Sequence, residues 1–327
     1  MAHNGHGKPK FAMYWAASCG GCEIAVLNTH ELILEVDANF EVVFWPVVMD
    51  AKYHDVEAME DGSITLCLFN GAIRNDENEE MAHLLRRKSG LLVAFGSCAS
   101  EGCIPGLANL YSKQAMIDTA FSTVTTDNPA QVRPTIAYEM PEGRIEIPYI
   151  CESVRTLEQV VPVDYFMPGC PPESEQITAV VRLVIDALHG NAVLPPRGAV
   201  IGAGDSTVCD ECLRTRSEKT ITEFRRMATF QPDPVQCLLD QGILCSGMAT
   251  RSGCNARCPS ANMPCIGCYG PAAGVLDQGA RMMSAVASVV GGNDPKEIRR
   301  IMDGIADPAG TFYRFSLPSS LLRHAKV

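Results

Sequence analysis

Apolar residues in the first part of the chain come in short runs separated by stretches of helical period, the alternation expected of strands and helices laid down in turn. Lys10 to Ala17 is an apolar, aromatic run that reads as a buried strand. Ile24, Val26, Leu27, Leu32, Ile33 and Leu34 follow it at helical spacing. Phe40 to Val48 reads as a second strand from its β-branched and aromatic content, and Ile64 to Asn70 as a third that ends at Gly71. The acidic stretch Asn75 to Glu80 leads into a helix carrying Met81, Leu84 and Leu85, with Arg86, Arg87 and Lys88 in its last turn and Gly90 closing it. Leu91 to Phe95 and Val163 to Met167 are the fourth and fifth strands, and the fifth precedes a helix with an apolar face of Ile177, Val180, Val181, Val184, Ile185 and Leu188. Between them, residues 111 to 162 are broken by Pro129, Pro134, Pro141 and Pro148 and read as an insertion packed over a sheet edge.

The pattern is an α/β doubly wound parallel sheet followed by a smaller, irregular and helical domain. A chain of 327 residues is long for one core. The boundary is expected near Leu194-Pro195-Pro196, giving domains 1–194 and 195–327. A formal charge of −11 and a pI near 5.1 argue against nucleic acid as the main partner. No apolar run reaches the ~18 residues of a membrane span; Ala285 to Val290 is too short and reads as a buried helix end. Met1 to Lys10 is polar, with neither an apolar signal region nor twin arginines, so a cytoplasmic, reduced protein is expected.

Cysteine changes this picture most. Each of three predicted strands ends in a cysteine turn: Cys19-Gly20-Gly21-Cys22 after the first, Cys98 after the fourth and Cys170 after the fifth. In a right-handed βαβ sheet the strand C-termini share one edge, so these four sulfurs can converge where such folds bind ligands. The first turn lacks GxGxxG and GK[ST], which makes a nucleotide a poor fit, while a thioredoxin-like dithiol competes for CxxC taken alone. Eight of the fifteen cysteines, Cys209, Cys212, Cys237, Cys245, Cys254, Cys258, Cys265 and Cys268, then fall within residues 209 to 268 and divide evenly into two tetrahedral sites. Structural zinc suits four thiolates as well as an iron-sulfur cube does, but zinc would hardly be placed at the functional edge of a sheet. Three such sites in one acidic chain suggest an electron wire.

CxxC after the first strand, Gly96-Ser97-Cys98-Ala99 with Gly102-Cys103-Ile104-Pro105-Gly106, Pro168-Gly169-Cys170-Pro171-Pro172 and Pro264-Cys265-Ile266-Gly267-Cys268 resemble the small subunit of nickel-iron hydrogenases over nearly the whole chain. The likeness is nearest to the cytoplasmic, heterodisulfide-reductase-associated type, methyl-viologen-reducing or deazaflavin-non-reducing. The resemblance implies a flavodoxin-like first domain with a proximal [4Fe-4S] cluster on Cys19, Cys22, Cys98 and Cys170. It implies a medial site on Cys254, Cys265 and Cys268, and a distal one on Cys212, Cys237 and Cys245. Cys258 offers the medial site a fourth thiol, and Cys209 stands where many relatives place a histidine, so three all-cysteine [4Fe-4S] clusters are expected. Hydrogen cleavage would belong to a nickel-iron centre held only by a partner large subunit. Ferredoxin-like or iron-sulfur adaptor and flavin-containing subunits of a heterodisulfide-reductase-type complex would lie downstream. The rival readings are the same wire in a non-hydrogenase reductase complex, and a zinc-stabilised interaction scaffold.

Cys67 reads as a buried small hydrophobe, Cys103 as a thiol close to the proximal set, and Cys151 as unassigned. Glu23, next to Cys22, is read either as a first-turn partner of the helix dipole or as a proton carrier for a neighbouring site. Arg214, Arg216, Lys219, Arg225 and Arg226 read either as a solvated helix face with Glu218 and Glu223 or as a docking patch for an acidic redox partner.

Overall fold

The structure, a computed structural model, describes residues 7–217, 220–292 and 294–323. Its centre is a sheet of β1 (Lys10–Trp15), β2 (Glu41–Phe44), β3 (Ile64–Asn70), β4 (Ser89–Phe95), β5 (Tyr165–Met167) and β6 (Ala199–Val200). The strands lie in the order β6-β5-β4-β3-β1-β2, and every pairing is parallel. The order 2-1-3-4-5 is that of doubly wound, flavodoxin-like sheets, whose ligand crevice opens at the switch point between the first and third strands.

Period-two alternation gives the sheet two buried faces. Phe11, Met13, Leu66, Leu68, Leu91, Val93 and Phe95 pack against α1 (Gly21–Leu27), α2 (Leu32–Asn39) and the later helix Ser174–Leu188. Ala12, Tyr14, Cys67, Phe69, Leu92 and Ala94 face the other way, against Met81, Leu84 and Leu85 of α3 (Asp76–Lys88). That helix starts where its Asn75 cap accepts a hydrogen bond from the Asn78 amide at 2.8 Å and ends in three cations, as its charge order predicts.

Several boundaries differ from expectation. The pattern from Ile24 to Leu34 is two helices, because Asn28, Thr29 and His30 bond locally: Thr29 donates to the Val26 carbonyl at 2.6 Å and His30 takes φ of 52°. The second strand stops at Phe44, since Pro46 has no amide for the ladder and Trp45 starts a turn. Gly90 lies inside β4; the helix passes straight into the strand at Ser89. After Leu194-Pro195-Pro196 the sheet takes one more short strand, β6, before the chain leaves it. Residues 111–162 are more regular than expected. They form a helix at Lys113–Ser122, a hairpin of Ala137–Met140 and Gly143–Glu146, and a strand Ile150–Arg155 paired antiparallel with Ile73–Asn75.

Beyond residue 200 the chain is mostly turns, with a small core where Ala249, Met282, Val286, Ile305, Phe312, Tyr313 and Leu317 meet. Two carboxylates fix the sheet's outer strands and this second part. Asp164 is buried, takes the Leu92 amide at 2.8 Å and Arg86 at 2.6 Å, and pairs with Arg197 at 2.7 Å. Glu101 accepts from Ser319 at 2.7 Å beside the left-handed Gly270, and burial pushes its carboxyl up to about 7.

Removing Asp164 leaves a buried amide and arginine unmatched, so Asp164→Ala is expected to cost about 2–3 kcal/mol in urea-unfolding experiments. A carboxyl whose folded pKa is raised from 4.5 to about 7 favours folding below the lower value, and that stability is lost as pH rises through the upper one. Glu101→Gln should therefore flatten the fall in urea midpoint between these two pH values.

Candidate metal centres

The C-terminal ends of β1, β4 and β5 deliver the first group of cysteines. After β1, Gly20 adopts φ of 79° and starts α1, so that Cys19 lies outside the helix and Cys22 in its first turn. After β4, Gly96 takes φ of 82°, and a Cβ there would stand 2.5 Å from the Cys22 sulfur. Only glycine allows this backbone to turn so close to that thiol. Ser97 ties the loops together: its amide donates to the Gly169 carbonyl at 2.8 Å, its hydroxyl accepts from the Gly169 amide at 3.1 Å, and the same hydroxyl donates to the Cys268 carbonyl. Cys98 follows at the start of a short helix, and Cys170 precedes the cis bond to Pro171.

These sulfurs are electrostatic neighbours. Burial, first, and then the proximity of Cys98, Glu23, Cys170 and Cys19 drive the Cys22 thiol far above its ordinary value. Cys103 is wholly buried, its sulfur 3.6 Å from that of Cys170, and it holds φ of 47°, uncommon for a side-chain-bearing residue. Its hydrogen bond lowers the Cys170 thiol below its ordinary value. Four thiols brought to one sheet edge are suited to a cationic centre, which would hold them as thiolates.

The later cysteines form a continuation. Cys268 adjoins Cys254, Cys258 and Cys170, and is raised to about 12 by burial and these neighbours. Cys209 adjoins Cys245, Cys237 and Cys212; burial raises it to about 12 against the pull of Arg216. A Cβ on Gly247 would stand 3.0 Å from the Cys209 sulfur. Cys265 lies between the groups: its amide donates to the Cys245 sulfur at 3.3 Å, and its thiol is raised by burial and by both Cys245 and Cys268. Among the described residues, no three His, Cys, Asp or Glu side chains stand close enough to grip a single metal ion. A tetrahedral zinc at ~2.3 Å from each sulfur requires tighter gathering than a cube whose irons lie between the thiolates.

Three residues have supporting roles that the sequence did not show, because these roles depend on contacts distant along the chain. Ser97 is one. Glu211 is another, accepting from the Gly253 and Ala256 amides at 2.7 and 3.2 Å and so joining the Cys209 and Cys254 segments. Arg214 is the third, and it corrects the reading of the basic stretch. Residues 212–217 are not helical, and the Arg214 guanidinium donates to the carbonyls of Pro259, Asp233 and Gln236 and to the Asn262 side chain. It is a staple between loops. Arg216 reaches the Cys209 carbonyl, and Arg225 pairs with Glu223 and lies over Phe230. Glu218 and Lys219 fall outside the described residues. Cys67 is fully buried in β3, where burial raises its thiol to about 12. Cys151 lies in the strand paired with Ile73–Asn75, apart from these groups, 3.9 Å from Arg155. Glu23 is 1% exposed, a burial that the dipole reading does not require; Asn70 donates to one oxygen at 2.7 Å, the other has no partner, and burial raises the carboxyl.

Residues 19–184 match the family described as NADH ubiquinone oxidoreductase, 20 Kd subunit. The iron-sulfur subunit of the F420-non-reducing hydrogenase of Archaeoglobus profundus is 37% identical over 320 residues, covering 96% of this chain and 97% of that protein. Its counterpart from the F420-non-reducing hydrogenase of Methanothermobacter marburgensis is 35% identical over 321 residues, covering 96% of each. The fold is shared with a chain of the [NiFeSe] hydrogenase of Desulfovibrio vulgaris Hildenborough, with a TM-score of 0.53 and 18% identity over 82% of this chain and 95% of that one. The chain thus belongs to the 20 kDa subunit family, in the class of hydrogenase small subunits, parts of an oxidoreductase whose catalytic site lies in the large subunit. Within that class it falls with the small subunits of the F420-non-reducing hydrogenases.

Gly96→Ala forces a left-handed alanine against the Cys22 sulfur, with strain and overlap of about 2–4 kcal/mol. It is expected to deplete iron from the purified protein selectively, leaving the far-ultraviolet circular dichroism of the sheet unchanged.

Proposed function

We propose that this chain is the electron conductor of a nickel-iron hydrogenase, with three [4Fe-4S] clusters held by Cys19, Cys22, Cys98 and Cys170, by Cys254, Cys258, Cys265 and Cys268, and by Cys209, Cys212, Cys237 and Cys245. The observation that carries the reading is the continuity of sulfur from the sheet edge into the second part of the chain. Cys170 and Cys268 pack against the same cluster of Cys98, Cys103 and Phe315, and the Cys265 amide donates to the Cys245 sulfur. When bound, such clusters each take up and release one electron, so the series would carry electrons from hydrogen oxidation in the large subunit to a ferredoxin-like or flavin-containing partner of a heterodisulfide-reductase-type complex in the cytoplasm.

The chain's own residues hold and shield. Gly21, Gly96 and Gly247 clear room for sulfur, Ser97 and Glu211 fix the cysteine loops to one another, and Phe315 packs with Cys98 and Cys103. The relatives favour a hydrogenase over another reductase using the same wire.

Protein purified without oxygen is expected to contain about twelve irons per chain. Cys258→Ser should convert one cubane signal to a [3Fe-4S] signal in electron paramagnetic resonance. Zinc in place of iron, or iron sufficient for two clusters only, would overturn the assignment. Nickel copurifying with the chain and hydrogen-dependent viologen reduction test the hydrogenase half separately.

A further inference from the structure

The hairpin of Ala137–Met140 and Gly143–Glu146 has no core beneath it. Tyr138 pairs with Ile145, Met140 with Gly143, Ala137 with Glu146 and Glu139 with Arg144, and the Ile147 amide donates to the Ile136 carbonyl at 2.9 Å. Alternation along the strands therefore puts Ile136, Tyr138, Met140, Ile145 and Ile147 on one face. All five are exposed, from 43% to 65%. The opposite face is polar, with Arg144 bridging Glu139 and Glu146. A two-stranded ribbon with its whole apolar face in water is barely stable alone, and a patch of that kind marks a contact surface.

Its place in the fold selects the occupant. The Tyr149 carbonyl accepts from the Asp76 amide, strand Ile150–Arg155 pairs with Ile73–Asn75, and Ala72 bridges Ala17 two residues before Cys19. The ribbon is thus hydrogen-bonded, step by step, to the sheet end that carries exposed Cys19 and, around it, exposed Trp15, Ile24 and Leu27. A protein exchanging electrons at Cys19 must sit on that end, beside the ribbon. We infer that the apolar face of the 136–147 ribbon is a docking surface for the hydrogenase large subunit. The inference rests on the proposed function above, with the large subunit feeding electrons into the first cluster of the series, the one Cys19 would help to hold.

The test uses the whole complex, with the tag on this chain. Ile136→Thr, Tyr138→Thr and Ile145→Thr together keep strand-forming residues while removing the apolar face. A second variant joins residues 135 and 148 through two glycines, which the short Ile136 to Ile147 contact makes geometrically possible. Both should lower recovery of the large subunit at least about tenfold, with iron per chain unchanged. Glu139→Gln with Arg144→Gln, on the opposite face, should leave recovery as it is. Large subunit retained at the unaltered ratio by both variants would overturn the inference, as would selective loss of a downstream subunit or of self-association in place of large-subunit loss. If the threonine variant also loses iron, the shortened variant decides. Absence of a large subunit from the unaltered preparation would sink the proposed function itself, an outcome distinguishable from failure of the ribbon alone.

Discussion

Ser97 holds the two parts of the chain against each other. One buried hydroxyl accepts from the Gly169 amide and donates to the Cys268 carbonyl, while the amide of the same residue grips the Gly169 carbonyl. It stands where the ends of β4 and β5 meet, so it fixes Cys98 and Cys170 relative to Cys268. Hydrogen bonds in a dry interior are firm because their alternative is an unpaired buried group. The register between the first group of thiols and the next depends on this knot.

The thiols themselves resist ionisation. Burial and mutual proximity drive Cys22, Cys209, Cys265 and Cys268 upward, so the protein without positive charge at these points must keep them protonated. Under the proposed function, a centre of positive iron would replace the protons. The surrounding frame is consequently stiff where the sulfurs are: positive-φ glycines at 20 and 96, the carboxylate of Glu211 held by two amides, and the Arg214 staple. Apolar surface is left open on the 136–147 ribbon and around Cys19. A rigid conductor with soft, sticky edges is what a member of a larger assembly requires.

The parallel sheet and its two helical layers were legible in the sequence because strand alternation and helix period are local properties. Turn chemistry at Thr29 and Pro46 shortened what periodicity alone had joined, for reasons also local but overridden by stronger apolar patterns around them. The basic stretch after Cys212 was misleading: charge spacing suggested a helix face, yet the guanidinium of Arg214 finds its partners at Asp233, Gln236, Pro259 and Asn262. No local rule reports such pairings.

By itself the sequence determined the alternation of elements, the placing of cysteines at the ends of three strands, and the dense cysteine region that follows, since each rests on neighbours along the chain. Tertiary structure alone decided that Cys103 lies against Cys170, that Glu23 is buried with an unpaired oxygen, and that Cys265 links two thiol groups. Those facts arise from which surfaces exclude water when distant segments close on one another, and burial of that kind is a property of the packed molecule, not of any stretch of it.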